Sequence, residues 1–194
     1  SKSLRPKVNE PLLKRNLNKS IKKSYTNNYM LLGTNCAARG HKDSYALDLI
    51  QAHLGKGQSG TLFHELRGKR GLVYDVAVEY GSDIDFGYFV VFASCSKKHK
   101  EEVKKVIKVE LKKLQCISEQ GLRDAKTYLE GDYYLDVEDV QKYADQMLFW
   151  HDIKDAKLLN DYIRNVKKVT VNDIKRVAKK YFQKLAVVEL QGKK

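Results

Sequence analysis

The chain has 194 residues, 42% hydrophobic and 31% charged, and a formal net charge of +13. That is enough for one domain with a sizeable core and short for two, and the composition is ordinary for a globular protein. No apolar run approaches the roughly 18 residues of a membrane helix, and the opening SKSLRPKVNE has no hydrophobic stretch of the signal-peptide kind, so neither is expected.

The charge is unevenly placed. Residues 1–23 carry eight Lys/Arg against one acid and residues 164–194 carry ten against two, while residues 24–163 carry 19 against 21. Basic ends of this kind read as solvated tails and helix faces. A nucleic-acid-binding domain is the weaker alternative, because no RNP-type aromatic motif, CCHH finger or basic zipper accompanies the charge. Cys36, Cys95 and Cys116 are odd in number, far apart and in no CxxC arrangement. Such spacing argues against a disulfide framework and for buried thiols in a reducing compartment, so the cytoplasm or an organelle matrix is the expected location.

In chain order, residues 1–20 are basic and polar, contain both prolines, and read as a leader or linker; residues 21–194 read as a single domain. Ile21–Tyr25 and Tyr29–Ala38 suggest a strand pair joined at Asn27-Asn28. Asp43 or Ser44 is placed to cap a helix whose apolar face is Tyr45, Leu47, Leu49, Ile50 and Leu54. A glycine-rich break, Gly55–Gly60, precedes a second helix over Thr61–Lys69 that ends at Gly71. Next comes a hairpin. Tyr74, Val76, Val78 and Tyr80 alternate with Val73, Asp75, Ala77 and Glu79 and are expected on one apolar face, and Phe86–Ala93 is apolar on both faces, as a central strand is.

The remainder is mostly helical. Ser96 is expected to cap a helix to about Leu114 with a lysine-rich outer face. Ser118 opens another, and Asp139–His151 and Asp155–Val166 read as two more. Thr170-x-x-Asp173 is a capping box, and Leu185–Leu190 reads as a closing strand. This order predicts an α+β fold, an antiparallel sheet covered by helices.

Self-contained catalysis finds little support in the motifs. His41, His53, His64, His99 and His151 form no HxxxH, HxxEH or mixed Cys/His cluster at ligand spacing, so no metal site is expected in this chain. No serine or cysteine lies in a GxSxG elbow. Gly55-x-Gly57-x-x-Gly60 matches GxGxxG, yet an amphipathic helix precedes it where a dinucleotide fingerprint needs a strand. A flexible connecting loop, or a loop whose bare backbone meets another chain, fits better. Arg67 and Tyr74 stand seven residues apart across Gly71. An arginine fork can hold peptide carbonyls and a phenol can donate to a developing oxyanion; an exposed helix arginine and an ordinary strand tyrosine is the plainer reading of the spacing.

The run ALDLIQAHLGKGQSGTLFHELRGKRGLVYDV resembles the C-terminal halves of pitrilysin/insulinase-like zinc metallopeptidases, the group that includes the mitochondrial processing peptidase. The group's pattern is a helix ending in LGxG, then SRLFxxLRxxxGLxY. This chain supplies Leu54-Gly55, Ser59, Leu62-Phe63, Leu66-Arg67, Gly71-Leu72 and Tyr74, and the order of elements is similar from about Tyr25 to Leu190. Gly60-Thr61 replaces the usual Ser-Arg, and Gly68 stands where an acid is common.

The resemblance implies a metallopeptidase half-domain of the LuxS/processing-peptidase type, the non-catalytic half of a zinc-dependent endopeptidase. Zinc would be carried by a partner bearing HxxEH, either a fused N-terminal half or a separate subunit, and none by this chain. The two half-domains would pair across a chamber, with Arg67 gripping the substrate backbone and Tyr74 supporting the tetrahedral intermediate. Gly55, Gly57 and Gly60 would lie in a substrate-contacting loop, and the strand from Tyr74 would add the peptide as a further strand. A catalytically silent subunit that only pairs with a partner is the alternative.

Overall fold

The computed structural model describes residues 10–192. The first nine residues of the expected leader therefore lie outside the described residues. Five strands form one sheet: β1 (Leu17–Lys23), β2 (Asn28–Cys36), β3 (Val73–Ser82), β4 (Gly87–Cys95) and β5 (Ala186–Gly192), in the order β1-β5-β2-β4-β3. β4 is central between β2 and β3, as its two-faced apolar sequence predicts.

Two pairings depart from the expected plan. β1 begins at Leu17, inside the basic segment, and does not form a hairpin with β2. The closing strand β5 enters between them, parallel to β1 and antiparallel to β2. The sheet is thus antiparallel over four strands with one parallel pair at an edge. β1 is exposed along its whole length and carries Lys19, Lys22 and Lys23, a composition suited to an edge that must resist further pairing.

The helices are α1 (Ser44–Gly55), α2 (Thr61–Phe63, continuing as a π-wound turn over His64–Gly68), α3 (Lys100–Lys113), α4 (Glu119–Glu138), α5 (Val140–Ile153), α6 (Leu158–Lys168) and α7 (Val171–Tyr181). Alternation of side chains on β2 and β4 sends Met30, Leu32, Phe89, Val91, Ala93 and Cys95 into the core. There they meet Leu47, Ile50 and Leu54 of α1, Val103 and Ile107 of α3, and Ile174 and Val177 of α7. Each fully buried aliphatic side chain contributes roughly 1.5–3 kcal/mol. The opposite sheet face is open: Leu31, Tyr88 and Val188 are exposed there, and Tyr29 stacks on Phe92 with ring centroids 6.2 Å apart.

Caps follow local chemistry in most places. Ser118 accepts from Gly121 N, Asp139 accepts from Gln141 N and Lys142 N, and Thr170 with Asp173 forms the complete box. Ser96 makes no side-chain cap; a short 3-10 turn, Lys97–His99, intervenes before α3. Of the three thiols, Cys95 is buried and Cys36 half-buried, but Cys116 is exposed, so burial does not extend to all of them.

Asp43 also departs from the expected cap. Its carboxylate makes no bond to the first turn of α1. It turns inward, fully buried, and accepts from Arg176 Nη1 at 2.7 Å, Lys180 Nζ at 3.0 Å and Tyr181 Oη at 2.9 Å. Burial by itself raises the acid's pKa, but the three donors outweigh it and hold Asp43 down to about 2. Three charge-assisted bonds from α7 thus fix it against the start of α1.

The folded carboxyl lies below its unfolded value of 3.8, so its contribution is complete above about pH 4 and fades as pH falls toward 2. Asp43→Asn is expected to cost about 2–3 kcal/mol at neutral pH, since Arg176 and Lys180 rehydrate when released. Urea unfolding of both proteins at pH 6 and pH 2.5 checks this: the gap between them should narrow at the lower pH, and an equal gap at both would refute the ion-pair origin.

Candidate functional site

The corner between α2 and β3 is built by close packing on one side and exposure on the other. Leu62 and Leu66 are fully buried and anchor one face of the helix. Its last turn widens to π geometry, with Lys69 N donating to His64 O at 2.8 Å. The chain then reverses at Gly71, whose φ of +59° suits glycine, and Leu72 N donates to Leu66 O at 2.8 Å. Helix end and strand start are thereby held in one fixed relation.

Arg67 and Tyr74 meet across this reversal. Arg67 Nη1 donates to Tyr74 O at 2.9 Å, and its guanidinium lies over the Phe63 ring, 5.5 Å from the centroid, a favourable cation–π geometry. Both residues are exposed, Tyr74 to 56%. The expected placing of Tyr74 on the apolar face with Val76, Val78 and Tyr80 is not what the structure shows. The register between β3 and β4 shifts between Val73 and Asp75. This bulge leaves Val73 on the core face, opposite Cys95, and turns Tyr74 outward with Asp75. A one-residue bulge re-aims a side chain in this way, at the cost of one ladder position.

β3 is the outer strand of the sheet. Its free edge is capped at two places: Arg67 takes the carbonyl of Tyr74, and Gln51 Oε1 accepts from Tyr80 N at 2.7 Å. By alternation, the main-chain groups of Val76 and Val78 share that outward edge.

The three glycines of the preceding loop have separate reasons to be glycine. A Cβ on Gly55 would lie 2.7 Å from Val78 Cβ, so α1 crosses β3 there at backbone contact. Gly57 has a φ of +54°, with open space around it. Gly60 is buried, and a Cβ there would lie 2.6 Å from Leu54 O. Of the three, Gly57 is the exposed one.

Metal binding finds no support in the neighbouring side chains. Glu65, beside His64, is held by Lys69 Nζ at 2.6 Å and by Arg70 Nη1, and these two donors bring its pKa down to about 2. Among the described residues no group of three His, Cys, Asp or Glu side chains is arranged to hold a metal ion. The side-chain donors of Arg67 and Tyr74 are cationic and phenolic, chemistry suited to gripping carbonyls.

A second polar cluster lies at the far end of β3 and has no motif in the sequence. Arg39 binds Asp48 through Nη1 at 2.6 Å and Nη2 at 3.1 Å, and Ser82 through Nε at 2.9 Å. Tyr162 donates to the same carboxylate at 2.9 Å. The cluster ties α1, the end of β3 and α6 together. Spacings of nine and 114 residues carry no periodic or motif signature, so only the folded structure reveals it.

The chain resembles known proteins over most of its length. Residues 2–129 match the family model described as the peptidase M16 inactive domain. An uncharacterized zinc protease of Streptomyces coelicolor is 29% identical over 160 residues, covering 78% of this chain and 34% of its own length. The zinc protease PqqE of Helicobacter pylori is 29% identical over 158 residues, 80% of this chain and 36% of its own. The chain therefore spans about a third of the curated relatives it matches. Among solved structures, a protease from Helicobacter pylori superposes with a TM-score of 0.83 at 26% identity, over 90% of this chain and 44% of that one. A peptidase M16 inactive domain from Pseudomonas fluorescens gives 0.81 at 22% identity, over 98% and 47%.

The close approach at Gly55 yields a stability test. Gly55→Ala is expected to cost about 1–3 kcal/mol by overpacking against Val78, and Gly57→Ala about 1–2 kcal/mol through its left-handed backbone. In a double-mutant cycle, Val78→Ala should offset part of the Gly55→Ala loss and none of the Gly57→Ala loss. Simple additivity at 55 and 78 would show that the contact is not what requires glycine.

Proposed function

The chain belongs to the peptidase M16 inactive-domain family, and from that premise we propose that it is the substrate-holding half of a zinc endopeptidase. It would pair with a zinc-carrying half bearing HxxEH, fused to it or separate. The observation that carries this reading is the convergence of Arg67 and Tyr74 at an exposed bulge on an edge strand.

The roles follow from what each group has to spare. Arg67 spends one donor on Tyr74 O and carries a fork of five, so its remaining N–H groups serve the carbonyls of a bound peptide. Tyr74, turned outward by the bulge, offers its hydroxyl to the substrate oxygen that gains charge as the peptide bond is attacked. The outward main chain of Val76 and Val78 suits an extended peptide added as a further strand. Gly57 supports close backbone approach at the neighbouring loop, while Gly55 and Gly60 hold that loop in place. Attack on the peptide bond depends on the zinc of the other half; this chain binds, aligns and supplies one hydrogen bond. The open sheet face, with Leu31, Tyr88 and Val188 exposed, is of the kind that another domain covers.

Reconstitution with a zinc-carrying half provides the test. Peptide cleavage by the pair should fall about 10²-fold in kcat for Tyr74→Phe, the loss of one oxyanion donor. Arg67→Ala should raise KM more than it lowers kcat, as loss of substrate grip does. Wild-type cleavage in both variants, with pairing intact, would leave a silent pairing domain as the correct description.

A further inference from the structure

Away from the Arg67–Tyr74 corner, α4, α5 and α6 enclose a recess of about 270 Å³. Its walls include the rings of Tyr133, Phe149, Trp150 and Tyr162, with Asp132 and Asp136 on α4. The rings brace one another: centroids are 5.7 Å apart for Tyr133–Tyr162, 6.1 Å for Trp150–Tyr162 and 6.2 Å for Phe149–Trp150. Two are also pinned by their hydroxyls, Tyr133 to Leu159 O at 3.2 Å and Tyr162 to Asp48 at 2.9 Å. The aromatic walls are set before any ligand arrives, which removes an ordering cost from binding.

The charges select the ligand. Arg39 also lines the recess, but both its terminal nitrogens are bound to Asp48, so it is a poor receptor for an anion. Asp136 is paired with Lys142 at 2.7 Å. Asp132, one turn earlier on the same helix face, is exposed and makes no direct side-chain contact with a cation among the described residues; Lys142, bound to Asp136, is the cation within its electrostatic reach. Two carboxylates that share one lysine leave net negative charge beside several aromatic rings, and that attracts a cation through ordinary charge and through the negative ring faces. The volume lies just under the roughly 300–1,000 Å³ of pockets for drug-sized ligands, the scale of a single side chain.

We propose that this recess binds a monocationic side chain, arginine or lysine, with Asp132 as counter-ion and the aromatic rings as its walls. That the cation arrives on a peptide rests on the substrate-holding reading above; that a cation is bound there does not.

Trp150 is the single tryptophan of the chain, so its fluorescence reports on the recess directly. The full chain is titrated with N-acetyl-arginine amide, N-acetyl-lysine amide and the uncharged N-acetyl-norleucine amide. The two cationic probes should give a saturable change, and norleucine should bind at least about fivefold more weakly. Asp132→Asn should weaken the cationic probes to the level of norleucine and Asp132→Glu should retain them, with unchanged near-ultraviolet circular dichroism in both. A flat titration of the wild type, equal binding of norleucine, or an Asp132→Asn variant that binds arginine normally would each overturn the proposal. Failure of the substrate-holding reading shows elsewhere, as undiminished cleavage by Arg67→Ala, and leaves this titration unaltered.

Discussion

A buried carboxylate must find donors or not be buried, and Asp43 finds all of its donors on one helix. Arg176, Lys180 and Tyr181 lie on one face of α7, within 3.0 Å of the Asp43 oxygens. An uncompensated charge in that position costs several kcal/mol, so α1 and α7 must dock in one relation. α7 leads directly into β5, and its docking aims the closing strand at the gap between β1 and β2. The parallel β1–β5 pair, the burial of Val187 and the seating of Glu189 beneath Lys100 and Lys104 all follow from that placement. Glu189 repeats the principle near the β1–β5 edge, on the same helix-covered face: burial opposes its charge, the lysines and Gln191 restore it, and its pKa settles at about 2.

The same topology reorganises the charge. β1, from the basic N-terminal segment, pairs along its whole length with β5, from the C-terminal one. α3 adds Lys104, Lys105, Lys108 and Lys112 close to Asn18 and Val187 at that edge. β3, with Arg67 and Tyr74, is the opposite edge of the sheet. Positive charge is thus gathered where it keeps an edge strand soluble, four strands away from the corner that the family pattern marks. Among the described residues, part of the positive excess, the lysines of β1 and of α3, therefore gathers at one edge of the sheet.

What could be read from the sequence was what is decided locally. The Thr170–Asp173 box, the Ser118 and Asp139 caps, the central β4 and the glycine reversal before β3 each depend on residues a few positions apart. The α+β class followed from their order, and the family from a motif of thirteen residues. Long-range decisions were not legible. Asp43 has the chemistry of a cap, and only the arrival of α7, over 130 residues later, turns it inward. Ile21–Tyr25 looked like the first arm of a hairpin because nothing nearby announces that β5 will separate it from β2. The outward turn of Tyr74 rests on a single inserted residue, and period-two alternation cannot reveal such an insertion.

That last failure concerns the residue the motif singles out. A regular strand would have buried the Tyr74 ring with Val76 and Val78, where a phenol serves packing. The bulge spends one ladder position to expose it, and Arg67 takes up the Tyr74 carbonyl at the free edge of β3. The arginine is thereby both the buttress of the bulge and a donor in its own right, while Gly71 and the π turn keep helix and strand close enough for one side chain to do both. Gly55 adds the second constraint, since any larger residue would lift α1 from Val78 and loosen the strand just beyond the bulge. The motif residues are therefore coupled mechanically as well as chemically. A substitution that leaves the phenol intact but straightens β3 would remove it from the open face, which is why the spacing of Leu66, Arg67, Gly71 and Tyr74 matters as much as their identities.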